Sequence, residues 1–290
     1  MARTKRWIWK DLDHGCCEVK LTSWKYFSDF IYQEMQYFDL YVWRGQRCDN
    51  WLLDPTLNRV FRDRGFSVRK MGTFQAKHLE QFKYATRGRR GTNPPVICDD
   101  NDWWALGQHH GLATPLLDWT TSPYVAAYFA FIESGENQTA HRAIYALGRA
   151  AVEKRVKDLF DEEVEKRRKI RADIESGTFS GGLLLRNLAD IPARPEVAFV
   201  RPLSNENQRL VSQGGLFTRS PEGKSIEAWV RERFPEDEQM IVLLKILVPN
   251  RDRSEALRML NRMNINHLSL FPDLSGASVF CNLFSEINNY

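Results

Sequence analysis

An arginine stands where a buried strand is predicted to end. Arg44 lies in the run WRGQ, residues 43–46, directly after apolar residues with strand-like composition. A guanidinium at such a position costs free energy unless it is paired. A diphosphate would pair with it through two parallel hydrogen bonds. A structural ion pair with a carboxylate such as Asp54 or Asp118 would also satisfy it, and the sequence leaves both interpretations open.

A second polar run precedes a predicted helix. Thr120, Thr121 and Ser122 come just before Pro123, and a Ser followed by Pro is a strong helix start. Helix capping explains Ser122 but not the two threonines. Three hydroxyl groups before a helix N-terminus also form a polar cradle for a ribose or a phosphate.

Two neighbouring histidines lie upstream of these hydroxyls. Adjacent side chains point apart on a helix end or a strand, so His109 and His110 form a poor metal pair, and no third ligand is evident. Either imidazole could hydrogen-bond a substrate sugar, while a structural role explains them equally well. We therefore predict no metal site.

A basic segment spans residues 59–90. It carries ten Lys and Arg residues against two acids, Asp63 and Glu80. Aromatic residues are interleaved with these charges, a pattern that suits single-stranded nucleic acid. A solvated basic face with rings packed under a helix is the alternative. The rings are Phe61, Phe66, Phe74, Phe82 and Tyr84.

Strands and helices of mixed length must position these groups. Apolar spacing predicts helices over 22–38, 73–87, 102–109, 151–175 and 253–264, and a helix that begins at Pro123. Strands are predicted in DLYVWRGQ, HRAIYALGR, EVAFVRP, LFTR and MIVLLKILVP, and a strand and turn in NHLSLFPDLSG. The interval 177–195 reads as a connector. Without a regular βαβ period, the pattern favours an α+β fold.

Composition limits the class of protein. The chain has 290 residues, 43% of them hydrophobic, and a formal net charge of +4, which is typical of a globular fold. No charge-free window could span a membrane, and five scattered cysteines favour a reduced, cytoplasmic location. Dinucleotide, P-loop, zinc-protease and nucleophile-elbow motifs do not occur.

Several blocks together resemble the FRG domain family, which is named for an aromatic-Arg-Gly motif. The motif appears as Trp43-Arg44-Gly45 in WRGQRCDNWLLDPTLNR, and the second block as QHHGLATPLLDWTTSPYVAAYFAF. Weaker blocks are RLVSQGGLFT and FPDLSG. The resemblance covers about residues 40–280 and implies a single domain over 1–290, with a charged helical insertion at about 151–190.

A further similarity is to mono-ADP-ribosyltransferases, which carry an Arg on the first strand and a Ser-Thr-Ser strand leading into a helix. Arg44 is similar to the first element, and Thr120-Thr121-Ser122, followed by Ala126 and Phe129, to the second. The resemblance implies a split mixed β-sheet core with flanking helices and NAD as a substrate. The residues it implies for NAD binding are Arg44, Gly45, Gln46, His109, His110, Thr120, Thr121 and Ser122.

The catalytic glutamate of that family has no direct equivalent. In that family the glutamate lies on a later strand, near a turn, and bonds the 2′-hydroxyl of the nicotinamide ribose. The segment RLVSQGGLFT, which is similar in shape, offers Gln213 there. Glu206 in SNENQR is the nearby carboxylate. The implied catalytic set is therefore Arg44 with Gln213 or Glu206.

These resemblances imply an NAD-dependent ADP-ribosyltransferase that modifies a macromolecule, with RNA favoured as the acceptor. The implied role is an intracellular toxin or anti-phage effector, with an antitoxin or chaperone protein as a partner and no membrane contact. The alternative is a nucleic-acid-binding module without catalysis. A third interpretation is an interaction domain that docks through helix 151–175 or the segment 231–239.

Overall fold

A mixed β-sheet organises the part of the chain that the computed structural model describes, namely residues 5–135, 139–176, 196–201, 212–221 and 223–290. Its eight strands lie in the order β1-β2-β8-β5-β3-β4-β7-β6. All neighbours are antiparallel except β2 and β8, which are parallel. The strands are β1 (Trp7–Asp13), β2 (Cys16–Leu21), β3 (Tyr41–Gln46), β4 (Leu116–Thr120), β5 (His141–Gly148), β6 (Ala198–Val200), β7 (Gly215–Arg219) and β8 (Leu243–Pro249).

The centre of the sheet is apolar on both faces. β5 and β8 pair along their length, with Ile144 opposite Ile246, and both of these residues are fully buried. A strand covered on both faces reads as a continuous apolar run rather than as an alternating one. This explains why these two strands are evident in the sequence.

Backbone pairing between neighbouring strands is shortest between β3 and β4. β3 pairs with β5 over six residues and β4 pairs with β7 over five, but β3 and β4 pair only at Trp43 and Thr120. Two halves of the sheet, β1-β2-β8-β5-β3 and β4-β7-β6, therefore join through one residue pair.

Helices cover both faces of the sheet and one end of it. They are α1 (Phe27–Glu34), α2 (Thr56–Asp63), α3 (Val68–Ala85), α4 (Asp100–His109), α5 (Pro123–Phe131), α6 (Arg149–Glu175), α7 (Ile226–Arg233), α8 (Arg253–Arg262), α9 (His267–Leu270) and α10 (Leu274–Glu286). The core on one face takes side chains from α1, α5, α8 and α10, and the core on the other face takes them from α6 and α7. A third cluster holds α2, α3 and α4 against β4 and β7.

Most of the predicted elements are confirmed, and the mixed arrangement of helices and strands agrees with the predicted class. The strand and turn predicted in NHLSLFPDLSG are wrong, because the segment forms α9 and the start of α10. The side chain of Asn266 accepts a hydrogen bond from the backbone N–H of Ser269, and the hydroxyl of Ser269 accepts one from the backbone of Asn266. This capping box starts a helix where short apolar residues resemble a strand.

The charged helix is longer than predicted and only its first turns are packed. Val152 is fully buried, and Nε of Arg155 donates to the backbone oxygen of Arg233 at 2.6 Å. Further along α6, Phe160 and Val164 are exposed. The predicted connector at 177–195 lies outside the described residues.

None of the helices seen in the described ranges is long and apolar enough to span a bilayer.

Candidate functional site

A cleft of about 710 Å³ opens beside the junction of β3 and β4. Its volume falls within the range of small-molecule sites, on the order of 300–1,000 Å³. Its walls come from β3, β4, α2, α5 and the loops around them. The polar and aromatic residues that line it include Arg44, Gln46, Arg47, Trp51, Asp54, Arg59, Arg62, Asp118, Thr120, Phe129, Glu133, Gln213 and Phe271.

Three residues that are distant in sequence meet in this cleft. Arg44, Thr120 and Gln213 all line it. The hydroxyl of Thr120 donates to the backbone oxygen of Gln213 at 2.6 Å, and Thr120 also pairs with Trp43, the neighbour of Arg44. Arg44, Thr120 and Gln213 therefore come together at one cleft, whereas Thr121 and Ser122 are not among its lining residues.

The Arg44 guanidinium has a hydrogen bond at Nη1 but none at Nε in the described structure. Its Nη1 donates to the backbone oxygen of Asp118 at 2.8 Å and lies 3.6 Å from the carboxylate of Asp118. Its Nε is buried without a hydrogen-bond partner in the described structure. Burial lowers the pKa of this guanidinium, and Asp118 opposes the shift. Arginine side chains stay charged in proteins at neutral pH.

Three further guanidinium groups line the cleft. Arg47 pairs with Glu133 at 2.6 Å, and Arg62 pairs with the buried carboxylate of Asp54 at 2.7 Å. Arg59 donates to the hydroxyl of Thr56, and no carboxylate of the described residues lies within 4.0 Å of it. Four guanidinium groups thus face three carboxylates, and the cleft favours an anion.

Buried polar atoms around the cleft lack partners. Besides Nε of Arg44, these are Oε1 of Gln46, Oδ1 of Asp54 and Nε of Arg47, as far as the described residues show. The other end of the Gln46 amide is fixed, since Nε2 donates to the backbone oxygen of Leu52 at 3.2 Å. Buried polar groups are normally satisfied, so these atoms fit a site that is completed by a polar ligand or by water.

Aromatic rings supply flat surfaces in the same cleft. Trp51 is 41% exposed, and the guanidinium of Arg47 lies 5.0 Å from its ring centroid. Phe129 and Phe271 meet edge to face with centroids 6.1 Å apart. Such rings can stack on a nucleotide base.

Gly45 lets helix α5 approach strand β3. A Cβ atom at this position would lie 1.9 Å from the backbone oxygen of Ala126 and 2.5 Å from the backbone nitrogen of Ala130. Only glycine tolerates that contact. The glycine of the aromatic-Arg-Gly motif therefore brings α5, which carries Phe129, to the cleft.

Four other predicted site residues, Thr121, Ser122, His109 and His110, lie outside the cleft lining. Ser122 caps α5 by accepting from the backbone N–H of Val125, and the backbone N–H of Thr121 donates to the oxygen of Gly214. His109 and His110 lie at the end of α4. Glu206 is outside the described residues, and in the described part no group of His, Cys, Asp or Glu could hold a metal ion.

Two arginines that the sequence interpretation missed hold the end of α5. Arg142 is fully buried, and its Nη1 donates to the backbone oxygens of Ala130 and Glu133, each at 2.9 Å. Arg253 donates to the oxygens of Phe131 and Ile132. Cations suit the carbonyl end of a helix, and here they fix the end that carries Glu133. Arg142 carries the same signal as Arg44, an arginine within an apolar strand.

Comparison with known proteins adds one finding. Neither a curated protein nor a solved structure matches the chain. Residues 39–141, which carry β3, β4, α5 and most of the cleft, match the family model described as the FRG domain.

Proposed function

We propose that the cleft binds NAD and that the protein is an ADP-ribosyltransferase. The observation that carries this proposal is the convergence of Arg44, Thr120 and Gln213 on one basic cleft of about 710 Å³. The single-pair junction between the sheet halves also resembles the split core that the transferase similarity implies.

The chain's own groups suit the parts of a dinucleotide. Arg44 and Arg59 would bind the diphosphate, because a guanidinium fork matches phosphate oxygens. Trp51 offers an exposed indole for a base. Nε of Arg44 and Oε1 of Gln46, which are buried without partners in the described structure, would gain hydrogen bonds.

A carboxylate must compensate for the missing glutamate, and Asp118 fits this role best. It lies two residues before Thr120 on β4, so both side chains lie on one face of the strand. Its carboxylate is 61% exposed and only loosely paired, whereas Glu133 is bound to Arg47 at 2.6 Å. The Nε2 of Gln213 donates to the backbone oxygen of Leu270 at 3.3 Å, and the backbone oxygen of Gln213 accepts from the hydroxyl of Thr120.

In the proposed transfer the bond between ribose C1′ and the nicotinamide nitrogen breaks, and nicotinamide leaves with the bonding electrons. A nucleophilic oxygen or nitrogen of the acceptor forms the new bond to C1′ and loses its proton to solvent. Asp118 would stabilise the positive charge that develops on the ribose.

The test combines binding with transfer. Titration calorimetry with NAD should show binding to the wild-type protein, and labelled NAD incubated with RNA, DNA or cell lysate should give a labelled macromolecule. Arg44→Gln should abolish both signals while keeping the far-UV circular dichroism of the wild type. No binding and no transfer by the wild type would refute the proposal.

The cellular role proposed with this activity is that of an intracellular toxin or anti-phage effector. Induced expression of the wild type in a bacterial host should then arrest growth, and Arg44→Gln should relieve the arrest. Equal growth inhibition by both proteins would contradict a role that depends on the cleft.

A nucleic-acid-binding module without catalysis is the second candidate. The specific observation that favours it is Gln213, which supplies no negative charge where the transferase family has a glutamate. It predicts tight nucleic-acid binding that needs neither NAD nor Asp118.

A further inference from the structure

One face of α3 presents cations and aromatic rings in a single line. Lys70, Phe74, Lys77 and Tyr84 follow one another at helical spacings of four, three and seven residues, so they lie along one stripe of the helix. All four are exposed, Phe74 by 38% and Tyr84 by 65%. From Lys70 to Tyr84 the stripe is about 21 Å long at the rise of an α-helix. We refer to these four residues as the α3 stripe.

The opposite face of α3 explains why the stripe is not a core surface. Met71, Gln75 and Leu79 are buried and face the cluster shared with α2 and α4. Phe74 touches Phe66 at a centroid distance of 4.4 Å and thus sits at the edge of this cluster. Tyr84 remains more exposed, and the guanidinium of Arg87 lies 4.9 Å from its ring centroid.

The charges of the stripe are not neutralised locally. Within the described structure, no carboxylate lies within 4.0 Å of the amino group of Lys70 or Lys77, whereas Lys83 is bound to Asp100 at 2.6 Å. Arg87 beyond the end of α3 also has no carboxylate partner there. Together these cations form an anion-attracting line rather than an ion-pair network.

Helix α2 lies between the α3 stripe and the cleft and contacts both. α2 carries Arg59 and Arg62 into the cleft lining, and its Phe61 packs against Phe66 and Phe74 at centroid distances of 5.7 and 6.3 Å. A molecule lying along α3 would therefore reach the helix that forms one wall of the cleft.

We infer that the α3 stripe, with Arg87, binds single-stranded nucleic acid and guides it to the cleft as the acceptor of the proposed transfer. Alternating cations and exposed rings match a strand with accessible phosphates and unstacked bases. A duplex keeps its bases stacked, so the rings of Phe74 and Tyr84 would have no partner on it. The acceptor role rests on the proposed function, whereas binding to the stripe does not require NAD.

The experiment measures fluorescence anisotropy of labelled single-stranded RNA, single-stranded DNA and duplex DNA of mixed sequence, without NAD, over a range of salt concentrations. We expect the single strands to bind more tightly than the duplex. Lys70→Gln/Lys77→Gln should lower the slope of log affinity against log salt by about 1.4, the value for two lost phosphate contacts on a single strand. Tyr84→Ala should weaken binding by about fivefold or more without changing that slope.

A matched control removes the same charge elsewhere. Lys154→Gln/Lys157→Gln neutralises two exposed lysines on α6. This variant should bind the single-stranded oligonucleotides as tightly as the wild type does. Equal losses in the α3 and α6 variants would overturn the inference, as would preference for the duplex or no binding of any oligonucleotide at low salt.

Titration of NAD into the wild type and the stripe variants separates this inference from the proposed function, because the stripe residues do not line the cleft. If the stripe variants no longer bind single-stranded nucleic acid and the wild type does not bind NAD, the α3 stripe is supported as a binding surface and the transferase proposal fails. If NAD is bound and ADP-ribose is transferred only to proteins, with stripe variants unaffected, the inference fails and the transferase proposal stands.

Discussion

Nη1 of Arg44 lies 2.8 Å from the backbone oxygen of Asp118 and 3.6 Å from its carboxylate. The main-chain contact fixes the guanidinium across the junction between β3 and β4. The carboxylate contact is long, and the Asp118 side chain is mostly exposed. Such a loose pair contributes little to stability. Because the two charged groups are not bound tightly to each other, both are available to a ligand.

Replacing this carboxylate tests its proposed role. Asp118→Asn keeps the side-chain shape and the main-chain contact, so we expect NAD binding to persist while transfer falls by about 10²–10³-fold, the cost of losing one transition-state electrostatic partner. Calorimetry and the labelled transfer assay measure the two quantities. Glu133→Gln is the matched control and should lower transfer far less. Equal losses in both variants would contradict the assignment to Asp118.

The close contact at Gly45 makes a stability prediction. Gly45→Ala places a methyl group against the backbone of α5, so one element must move, and overpacking of this kind costs about 1–3 kcal/mol or more. Urea unfolding measures the change. Gly148→Ala is the control, because its nearest contact would be an ordinary 3.5 Å. A Gly45→Ala protein as stable as the wild type would refute the close approach of α5.

Arg142 makes a second stability prediction. Arg142→Met leaves the oxygens of Ala130 and Glu133 and the side-chain oxygen of Asn250 without their donor. We expect a loss of at least about 1–3 kcal/mol in the free energy of unfolding, the cost of leaving a buried acceptor without its donor. Arg168→Met, at a side chain 78% exposed, should change stability by less than about 0.5 kcal/mol. Similar values for the two variants would show that α5 does not depend on Arg142.

His141 predicts a pH dependence. Burial lowers the pKa of its imidazole below 6.5, although Asp49 opposes the shift. The unfolded chain therefore binds more protons than the folded chain in the window just below pH 6.5. The contribution of neutral His141 is complete above pH 6.5 and is lost as the pH falls through that window to the folded-state pKa. Urea unfolding from about pH 7.5 down to about pH 5 should show a steeper decline for the wild type than for His141→Gln, and parallel curves would contradict the shift.

The sequence predicted the strand carrying Arg44 and the helix starting at Pro123 because both signals are local. An apolar run marks β5 and β8, and Ser-Pro marks α5. Arg44, Thr120 and Gln213 were named as site residues on the strength of a family resemblance rather than of spacing. The helix at 267–270 is not evident from the sequence, because its short apolar residues resemble a strand and outweigh the capping box of Asn266 with Ser269.

Other parts of the site depend on contacts that no local pattern encodes. The pairing of Arg47 with Glu133 joins residues 86 positions apart. Trp51 stands out in the sequence only as one aromatic residue of the WRGQRCDNWLLDPTLNR block. The N-terminal hairpin β1-β2 was not predicted, because β2 is fixed in the sheet by pairing with β8, which lies near the other end of the chain. His109 and His110 lie off the cleft because α4 packs with α2 and α3 in the third cluster.

The junction between β3 and β4 has a consequence for the mechanics of the sheet. Trp43 and Thr120 form the single residue pair in the backbone ladder between its two halves, so a nucleotide held by Arg44 on one side and Thr120 on the other would act as an additional non-covalent cross-link. Occupancy would then raise the free energy of unfolding in proportion to the logarithm of ligand concentration, and amide hydrogens on both strands would exchange more slowly. The bound nucleotide would then contribute to the stability of the sheet by linking its two halves.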